Sequence, residues 1–418
     1  MDIGKKVPIL APMIHSLALK NFASFHEHTV VEFTVGPKAG QRNIFLNSSQ
    51  PEVLVNRVTG VFGPNASGKT NLLKAIAFLR YFILNSASTK PDEPIPVEGF
   101  AFVEPIEGAD IEPSYFCLEF EFGGHLYRYE LELSPKRVLA ESLHRKDQRF
   151  RYLFERTWDA ALGSYHFKAQ DIGPAKHITL RENASFLASA VLQQHEEALR
   201  FAGYFENLYV NIYARGRLPT HDPEDLNVFQ AARFYEKHTE LLQSAESHLI
   251  RADLGISKLK IEEARFLNVD GKEEKMPFPV VEHLVGGKAY LRPLMAESRG
   301  TQSLFVLLRY ILPVLRSGGV AVIDEFETGL HSHMVKAIVE LFYSPDSNPK
   351  GAQLIANFHT DYLLQSTLEK YQIVLTEKNP DSLATEAWRL DQVKGGARNA
   401  NNHYAKYHAG AYGGIPNL

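Results

Sequence analysis

The stretch Gly63-Pro64-Asn65-Ala66-Ser67-Gly68-Lys69-Thr70 fits the pattern G-x-x-x-x-G-K-[ST]. It follows a predicted strand over residues 56–62 and precedes residues 71–84, where apolar side chains recur at helical spacing. In a strand, loop and helix of this order, the loop amides surround a β-phosphate, Lys69 reaches the β and γ oxygens, and Thr70 ligates magnesium. The sequence therefore predicts a loop that binds a nucleoside triphosphate and Mg²⁺.

A second motif lies where a buried strand is predicted to end. Residues 320–323 form a short apolar run typical of a parallel strand, and Asp324 and Glu325 follow it directly. Nucleotide-binding α/β sheets hold their ligand at the carboxyl ends of the strands. We therefore expect Asp324 to bind Mg²⁺ through water and Glu325 to polarise the attacking water. An Asp-Glu pair in isolation is more often an exposed loop, but the loop at 63–70 favours the catalytic interpretation.

Two further features are candidates for contacting a γ-phosphate. The segment Ser298-Arg299-Gly300-Thr301-Gln302 precedes a run with helical apolar spacing, and Ser298 is its predicted N-cap. A helix N-terminus with a serine hydroxyl and a glycine amide can hold an anion. His359 follows a strand predicted over residues 353–357, and its imidazole is a candidate to contact the γ-phosphate or the attacking water. Each feature alone is more simply a helix cap or a structural histidine.

Composition excludes several classes of protein. The 418 residues suffice for two or three domains, and 44% apolar with 22% charged residues is typical of a globular protein. The net charge of −4 provides no global basic field, so any nucleic-acid contact needs a local patch. Cys117 is the single cysteine, which excludes an internal disulfide and favours the reducing cytoplasm. The apolar runs are too short for a membrane-spanning helix.

The pattern of elements predicts an α/β protein with a mixed sheet, an antiparallel β subdomain and a helical insertion. The N-terminal lobe contains two pairing strands, the phosphate loop and a hairpin turning at Gly123-Gly124. In the insertion, apolar spacing predicts a long helix over 186–212, capped by Asn183, and a second over 228–249. Strands and hairpins are expected again over residues 256–290. The predicted boundaries are an N-terminal extension (1–12), an N-terminal lobe (13–180), a helical insertion (181–250), a C-terminal lobe (251–390) and a tail (391–418).

The motifs in this order resemble the ABC-type ATPases of the SMC, RecF and OLD branch. The segment at 298–302 lies where that branch keeps its signature motif, 24 residues before Asp324. The resemblance implies an ABC-type P-loop ATPase head in which ATP joins two heads and the signature of one completes the site of the other. Leu330-His331 occupies the position of the D-loop at that interface. The residues implied to contact the nucleotide are Gly63, Pro64, Asn65, Ala66, Ser67, Gly68, Lys69, Thr70, Asn71, Asn21 and Ser24.

A closer resemblance is to the abortive-infection ATPases of the AbiL- and RloA-like group, and it spans nearly the whole chain. Its matching segments are Asn183-Ala184-Ser185-Phe186-Leu187, Ala252-Asp253-Leu254-Gly255-Ile256 and Gly410-Ala411-Tyr412-Gly413-Gly414-Ile415-Pro416-Asn417. The resemblance implies phage defence together with a separate TOPRIM-type nuclease, because the residues after His359 are too few to form one. No glutamine fits the position of a Q-loop. The implied partners are a second copy of the chain, the nuclease, and a phage trigger protein or nucleic acid, without a membrane.

Two alternatives stay open from the sequence. A RecF-like ATPase clamp on duplex DNA is the rival function, for which residues 136–156 offer seven Lys or Arg against three Asp or Glu. A solvated hairpin also explains that surplus. ATP is favoured over GTP because the guanine-reading motif Asn-Lys-x-Asp is absent from the sequence. The tail over 399–418 combines three tyrosines with glycines and is predicted to dock a partner; packing against its own lobe is the alternative.

Overall fold

The structure is a computed structural model. It describes residues 11–40, 42–103, 112–170, 172, 180–212, 223–252, 255–267, 273–393 and 403–415. Most of the predicted N-terminal extension, the turn at Asp270-Gly271, Asp253-Leu254, and residues 394–402 and 416–418 of the tail lie outside the described residues.

The chain forms nineteen strands and nine α-helices within the described ranges. The strands are β1 (Met13–Lys20), β2 (Thr29–Glu32), β3 (Thr34–Val35), β4 (Phe45–Asn47), β5 (Leu54–Asn56), β6 (Val58–Phe62), β7 (Ser114–Phe122), β8 (His125–Leu133), β9 (Val138–Lys146), β10 (Phe150–Asp159), β11 (Ser164–Ala169), β12 (Leu208–Val210), β13 (Lys258–Leu267), β14 (Glu273–Val285), β15 (Lys288–Pro293), β16 (Val320–Ile323), β17 (Gln353–Asn357), β18 (Ile373–Lys378) and β19 (Thr385–Arg389).

The helices surround the central sheet and form the insertion. They are α1 (Lys69–Asn85), α2 (Phe186–Leu192), α3 (Glu196–Glu206), α4 (Pro223–Lys237), α5 (Thr239–Arg251), α6 (Arg299–Ser317), α7 (Ser332–Leu341), α8 (Leu363–Ser366) and α9 (His403–His408). In the described part of the chain, none of them is long and apolar enough to cross a membrane.

A six-stranded mixed sheet positions the sequence motifs. Its order is β12-β16-β17-β6-β18-β19, and only β19 runs antiparallel to its neighbour. In the parallel register, Ile355 of β17 lies between Val322 of β16 and Thr59 of β6. The carboxyl ends of β6, β16 and β17 therefore meet at one edge of the sheet, which is where the phosphate loop, Asp324 and the His359 segment begin.

A seven-stranded antiparallel sheet forms the β subdomain, in the order β11-β10-β9-β8-β7-β1-β2. β1 and β2 pair as predicted, and the predicted turn at Gly123-Gly124 has φ of +59° and +78°. Helix α1 joins this sheet to the central one, because Phe78 stacks on Phe116 at 5.1 Å while α1 also contacts β16 and β17. The helix that carries the phosphate-loop lysine is thus fixed on both sides.

The insertion differs from the prediction. The helix expected over 186–212 is divided into α2, α3 and strand β12, because the chain turns at Gln194, with φ of +58°, and Leu208–Val210 pairs with β16. Ser185, not Asn183, caps α2, and its hydroxyl accepts from the amide of Leu187 at 3.1 Å. The second predicted helix is likewise divided, into α4 and α5 at His238. A third sheet, β13-β14-β15, follows as expected.

The described part of the tail packs on its own lobe. Tyr412 is buried in the apolar core that also contains the side chains of α6. The amide of Gly414 donates to Glu377 at 3.0 Å, and the hydroxyl of Tyr407 donates to the carbonyl of Gly414 at 2.6 Å. Over residues 403–415 these contacts agree with the packing alternative, and docking of a partner stays a prediction.

Deleting residues 412–418 is expected to lower the melting temperature by about 3 °C or more, because the buried ring of Tyr412 is lost from the core. Differential scanning fluorimetry measures the change. Deleting only residues 416–418, which keeps Tyr412, is the matched control. An unchanged melting temperature and unchanged ATP turnover, with capture of a nuclease partner lost, would contradict the packing role and support docking.

Candidate functional site

The phosphate loop has the backbone that its glycines predict. Gly63 and Gly68 have φ of +152° and +104°, and Gly68 is the N-cap of α1. A Cβ at Gly63 would lie 2.3 Å from the carbonyl oxygen of Thr376, and one at Gly68 would lie 2.2 Å from Oγ1 of Thr385. Only glycine therefore fits either position, and the amides of the loop can approach a bound phosphate closely.

Lys69 lies folded against the loop. Its Nζ donates to the carbonyls of Gly63 at 2.7 Å and Pro64 at 2.9 Å, and the residue is 5% exposed. Burial lowers the pKa of Lys69, while the carboxylates of Glu327, Asp324 and Glu325 act in the opposite direction. An ammonium group held in this loop faces the position where phosphate oxygens bind in a G-x-x-x-x-G-K-[ST] loop.

Thr70 and Asp324 meet although they are far apart in the sequence. The hydroxyl of Thr70, on α1, donates to Oδ1 of Asp324, after β16, at 2.9 Å. Magnesium is usually bound by one or two such oxygens together with the phosphates of a substrate. The oxygens of Thr70 and Asp324 fit that chemistry, because both are hard ligands and lie beside the phosphate loop. In the described ranges, no three His, Cys, Asp or Glu side chains group as a metal cage.

Two asparagines that the sequence analysis missed hold Asp324 in place. Asn357, at the end of β17, donates from Nδ2 to Oδ1 of Asp324. Asn211, just after β12, exchanges two bonds with the backbone of Asp324, at 2.9 Å to its carbonyl and 2.7 Å from its amide. Each residue lies at the end of a strand beside β16. In the sequence, the only indication of their role is a polar side chain at the end of a predicted strand.

Glu325 has an uncommon backbone conformation. Its φ is +50°, and its amide donates to Oδ1 of Asn357. Thr328 closes the turn, because its hydroxyl donates to the carbonyl of Glu325 at 3.0 Å and lies 3.3 Å from Oε2. A non-glycine residue at positive φ is maintained only where its surroundings fix it. Glu325 itself is half-buried at this turn.

His359 is exposed, and its segment is attached to the turn after β16 through Glu327. Oε1 of Glu327 accepts from the amides of His359 and Thr360, the second at 2.6 Å. Burial raises the pKa of Glu327, against the effect of these hydrogen bonds. Glu327 was not predicted as a site residue. The only indication in the sequence is an acidic residue two positions after Glu325.

Ser24 and Asn71 lie together beside the loop. Oγ of Ser24 accepts from Nδ2 of Asn71 at 2.8 Å and from Oγ1 of Thr385 at 2.7 Å, and Thr385 also donates to the carbonyl of Ser67 at 2.9 Å. Asn21 is placed differently. Its amide donates to the carbonyl of Glu112 at 2.6 Å and accepts from the amide of Phe100 at 2.7 Å, so it braces the backbone.

The segment at 298–302 begins α6. Ser298 caps the helix as predicted, with Oγ accepting from the amide of Thr301 at 3.2 Å, and both Ser298 and Arg299 are exposed. Gln302 donates to the carbonyls of Met295 and Glu297. A Cβ at Gly300 would lie 2.9 Å from the carbonyl of Gly329. The helix start is thus packed on the turn that follows Glu325, and the hydroxyl of Ser298 is also 2.9 Å from Oγ1 of Thr301.

Residues 58–365 match the family described as "AAA domain, putative AbiEii toxin, Type IV TA system". The matched segment is nearly three quarters of the chain and includes the phosphate loop, Asp324, Glu325 and His359. The chain belongs to this AbiEii-type AAA family. No curated protein sequence matches it.

Solved structures of SMC heads are similar to this AbiEii-type AAA chain at 13–14% identity. They are the SmcHead bound to the C-winged helix domain of ScpA (13% identity, 91% of this chain and 98% of that chain covered, TM-score 0.48), the SMC head domain from Thermotoga maritima (14%, 90% and 98%, 0.42), and an Smc head domain with an extended coiled coil bound to the C-terminal domain of ScpA derived from Pyrococcus furiosus (14%, 91% and 97%, 0.43).

The predicted fold class of this AbiEii-type AAA protein is confirmed. A mixed sheet carries the phosphate loop between β6 and α1, and an antiparallel β subdomain and a largely helical insertion flank it. The finer resemblance to the AbiL- and RloA-like group stays a prediction, as do the roles of the site residues.

Proposed function

We propose that the chain hydrolyses Mg-ATP to ADP and phosphate and uses the cycle as a sensor and scaffold in anti-phage defence. The hydrogen bond between Thr70 and Asp324, at the mouth of a glycine loop that contains Lys69, is the observation that carries the proposal. This bond joins the two oxygens that would bind magnesium, and Lys69, which would bind phosphate, is adjacent to Thr70 in the chain. Magnesium-dependent phosphate release by the purified chain tests it.

In this proposal each side chain has a distinct task. The loop amides and Lys69 bind the β- and γ-phosphates, and Lys69 exchanges its bonds to Gly63 and Pro64 for phosphate oxygens. Thr70 and Asp324 hold Mg²⁺, which polarises the phosphate when bound. Glu325 accepts a proton from the attacking water, and His359 contacts the γ-phosphate.

We further propose that ATP closes two copies of the chain head to tail. The exposure of Ser298 and Arg299 at the start of α6 supports this, since an exposed helix N-terminus can receive a phosphate from another chain. The closed state would control a separate TOPRIM-type nuclease. Membership of a family whose description mentions an AbiEii toxin supports a role in abortive infection.

The contacts of the basic hairpin give little support to the DNA clamp. Of its seven cations, Arg156 is fully buried in an ion pair with Glu141 at 2.6 Å. Arg137 pairs with Glu182 at 3.1 Å and lies over the ring of Trp158, and Arg151 pairs with Asp147 at 2.9 Å. These pairs reduce the charge available to phosphates, as expected for the solvated hairpin.

Mixing two inactive variants tests the shared site. Ser298→Asp keeps a good helix cap but places a carboxylate against the partner's γ-phosphate, and Lys69→Ala removes the phosphate-binding cation. A random mixture is expected to regain about one quarter of the parent rate, because each mixed dimer holds one complete site. Phosphate release measures the recovery.

Ser298→Asn, which caps the helix without charge, is the matched control and is expected to lose much less activity than Ser298→Asp. A mixture no more active than either variant alone would contradict a site shared between copies. We chose Ser298 instead of Gly300 because a side chain at Gly300 would collide with the carbonyl of Gly329 in the same chain.

A further inference from the structure

Glu327 connects the two turns that carry the proposed catalytic groups. The carboxylate turn, residues 324–328, follows β16, and the His359 turn, residues 358–362, follows β17. Oε1 of Glu327 accepts from two successive amides of the His359 turn, those of His359 and Thr360. One carboxylate oxygen therefore fixes the backbone of His359 and Thr360, which determines the position of the His359 imidazole.

The other oxygen of Glu327 is buried. Oε2 has less than 1 Å² of exposed surface and, among the described residues, no hydrogen-bond partner. A buried carboxylate oxygen without a partner is costly to keep. A residue maintained at that cost beside the phosphate loop points to a functional role.

Other contacts also hold these two turns: Asn357, just before the His359 turn, bonds to Asp324 and to the amide of Glu325, and Asp361 pairs with His408. The rings of Phe326 and Phe358 lie 5.1 Å apart, and the amide of Phe326 reaches the carbonyl of Asn357 at 3.4 Å, a long bond. Neither turn is part of a helix or strand, so its shape depends on such side-chain contacts. The bonds to Glu327 are the ones made by the backbone amides of His359 and Thr360 themselves.

We propose that Glu327 is a positioning residue that ties the His359 turn to the carboxylate turn, so that His359 and Glu325 act on the same phosphate. This inference rests on the proposed ATPase function. Without the tie, the amides of His359 and Thr360 lose their acceptor and the imidazole is free to shift. A displacement of about 1 Å at a catalytic group can cost about 100-fold in rate.

Two variants separate the effect of the hydrogen bonds that Glu327 accepts from the effect of its negative charge. Glu327→Gln keeps an oxygen that can accept from both amides, whereas Glu327→Ala removes the acceptor. Glu340→Ala, an exposed glutamate on the nearby helix α7, is the matched control. In hydrogen exchange followed by mass spectrometry, peptides containing His359 and Thr360 should exchange at least about tenfold faster in Glu327→Ala and at the parent rate in Glu327→Gln.

Kinetics test the consequence. Glu327→Ala should lower kcat about 10- to 100-fold with little change in KM for ATP, and Glu327→Gln should restore most of it. On a His359→Ala background, Glu327→Ala should have almost no further effect, because its action passes through His359.

The outcomes separate this inference from the function on which it rests. Unchanged exchange at His359 and Thr360 in Glu327→Ala, or additive loss of kcat in the double variant, would overturn the positioning role while leaving an ATPase in place. A parent chain that releases no phosphate would refute the ATPase, and the exchange measurement would still decide whether Glu327 holds the turn. A melting temperature measured for each variant ensures that the comparison is between folded proteins.

Discussion

Lys69→Ala is expected to abolish ATP binding. The ammonium is the one cation of the phosphate loop, and its bonds to the carbonyls of Gly63 and Pro64 at 2.7 and 2.9 Å hold it against the loop. Hydrogen bonds from a charged donor contribute about 1.5–3 kcal/mol each, so losing two to phosphate weakens binding by at least about 100-fold. Equilibrium binding of a fluorescent ATP analogue measures the loss.

Lys74→Ala is the matched control for this change. Lys74 is also on α1, beyond the phosphate loop, and it is buried to a similar extent. Its ammonium pairs with Glu98 at 3.0 Å. It should therefore bind ATP like the parent. Equal ATP affinity of parent and Lys69→Ala would show that this loop is not the nucleotide site.

Glu325→Gln is expected to hold ATP while hydrolysing it about 100- to 10,000-fold more slowly, the range for loss of a general base. The amide preserves the shape of the side chain and the bond from the backbone amide of residue 325 to Asn357, but it cannot take a proton from water. Single-turnover hydrolysis and retention of labelled ATP on a filter measure both parts. The ATP-bound dimer should accumulate in this variant.

Glu340→Gln makes the same chemical change at an exposed position on α7 and should leave both measurements unaltered. Hydrolysis by Glu325→Gln at the parent rate would remove Glu325 from the role of base. The nearby carboxylate of Glu327 would then be the next candidate, which the variants at that position would show.

The elements that the sequence predicted well are those in which neighbours along the chain determine the structure. The phosphate loop needs glycines at two positions with positive φ between a strand and a helix. Residues 56–84 contain the strand, both glycines and the helix, so the local sequence is sufficient to predict the loop. The N-cap at Ser298 and the turn at Gly123-Gly124 are equally local.

Side chains that meet only through the sheet could not be found in this way. In the sequence, each of Asn211, Asn357 and Glu327 is an isolated polar residue without a motif around it. They meet at the site because β12, β16 and β17 are parallel neighbours in the sheet. The division of the helix predicted over 186–212 has a similar cause. Its apolar spacing continues across the break, and pairing of Leu208–Val210 with β16 overrides the helical pattern.

Phosphate release by the purified chain, measured with ATP and titrated Mg²⁺, tests the central claim most directly. We expect slow release that requires Mg²⁺ and stops when EDTA is added, because the oxygens of Thr70 and Asp324 lie together at the loop. Lys69→Ala and Glu325→Gln should each show no release above background under the same conditions. Release that is independent of Mg²⁺, or equal in the parent and both variants, would contradict the account.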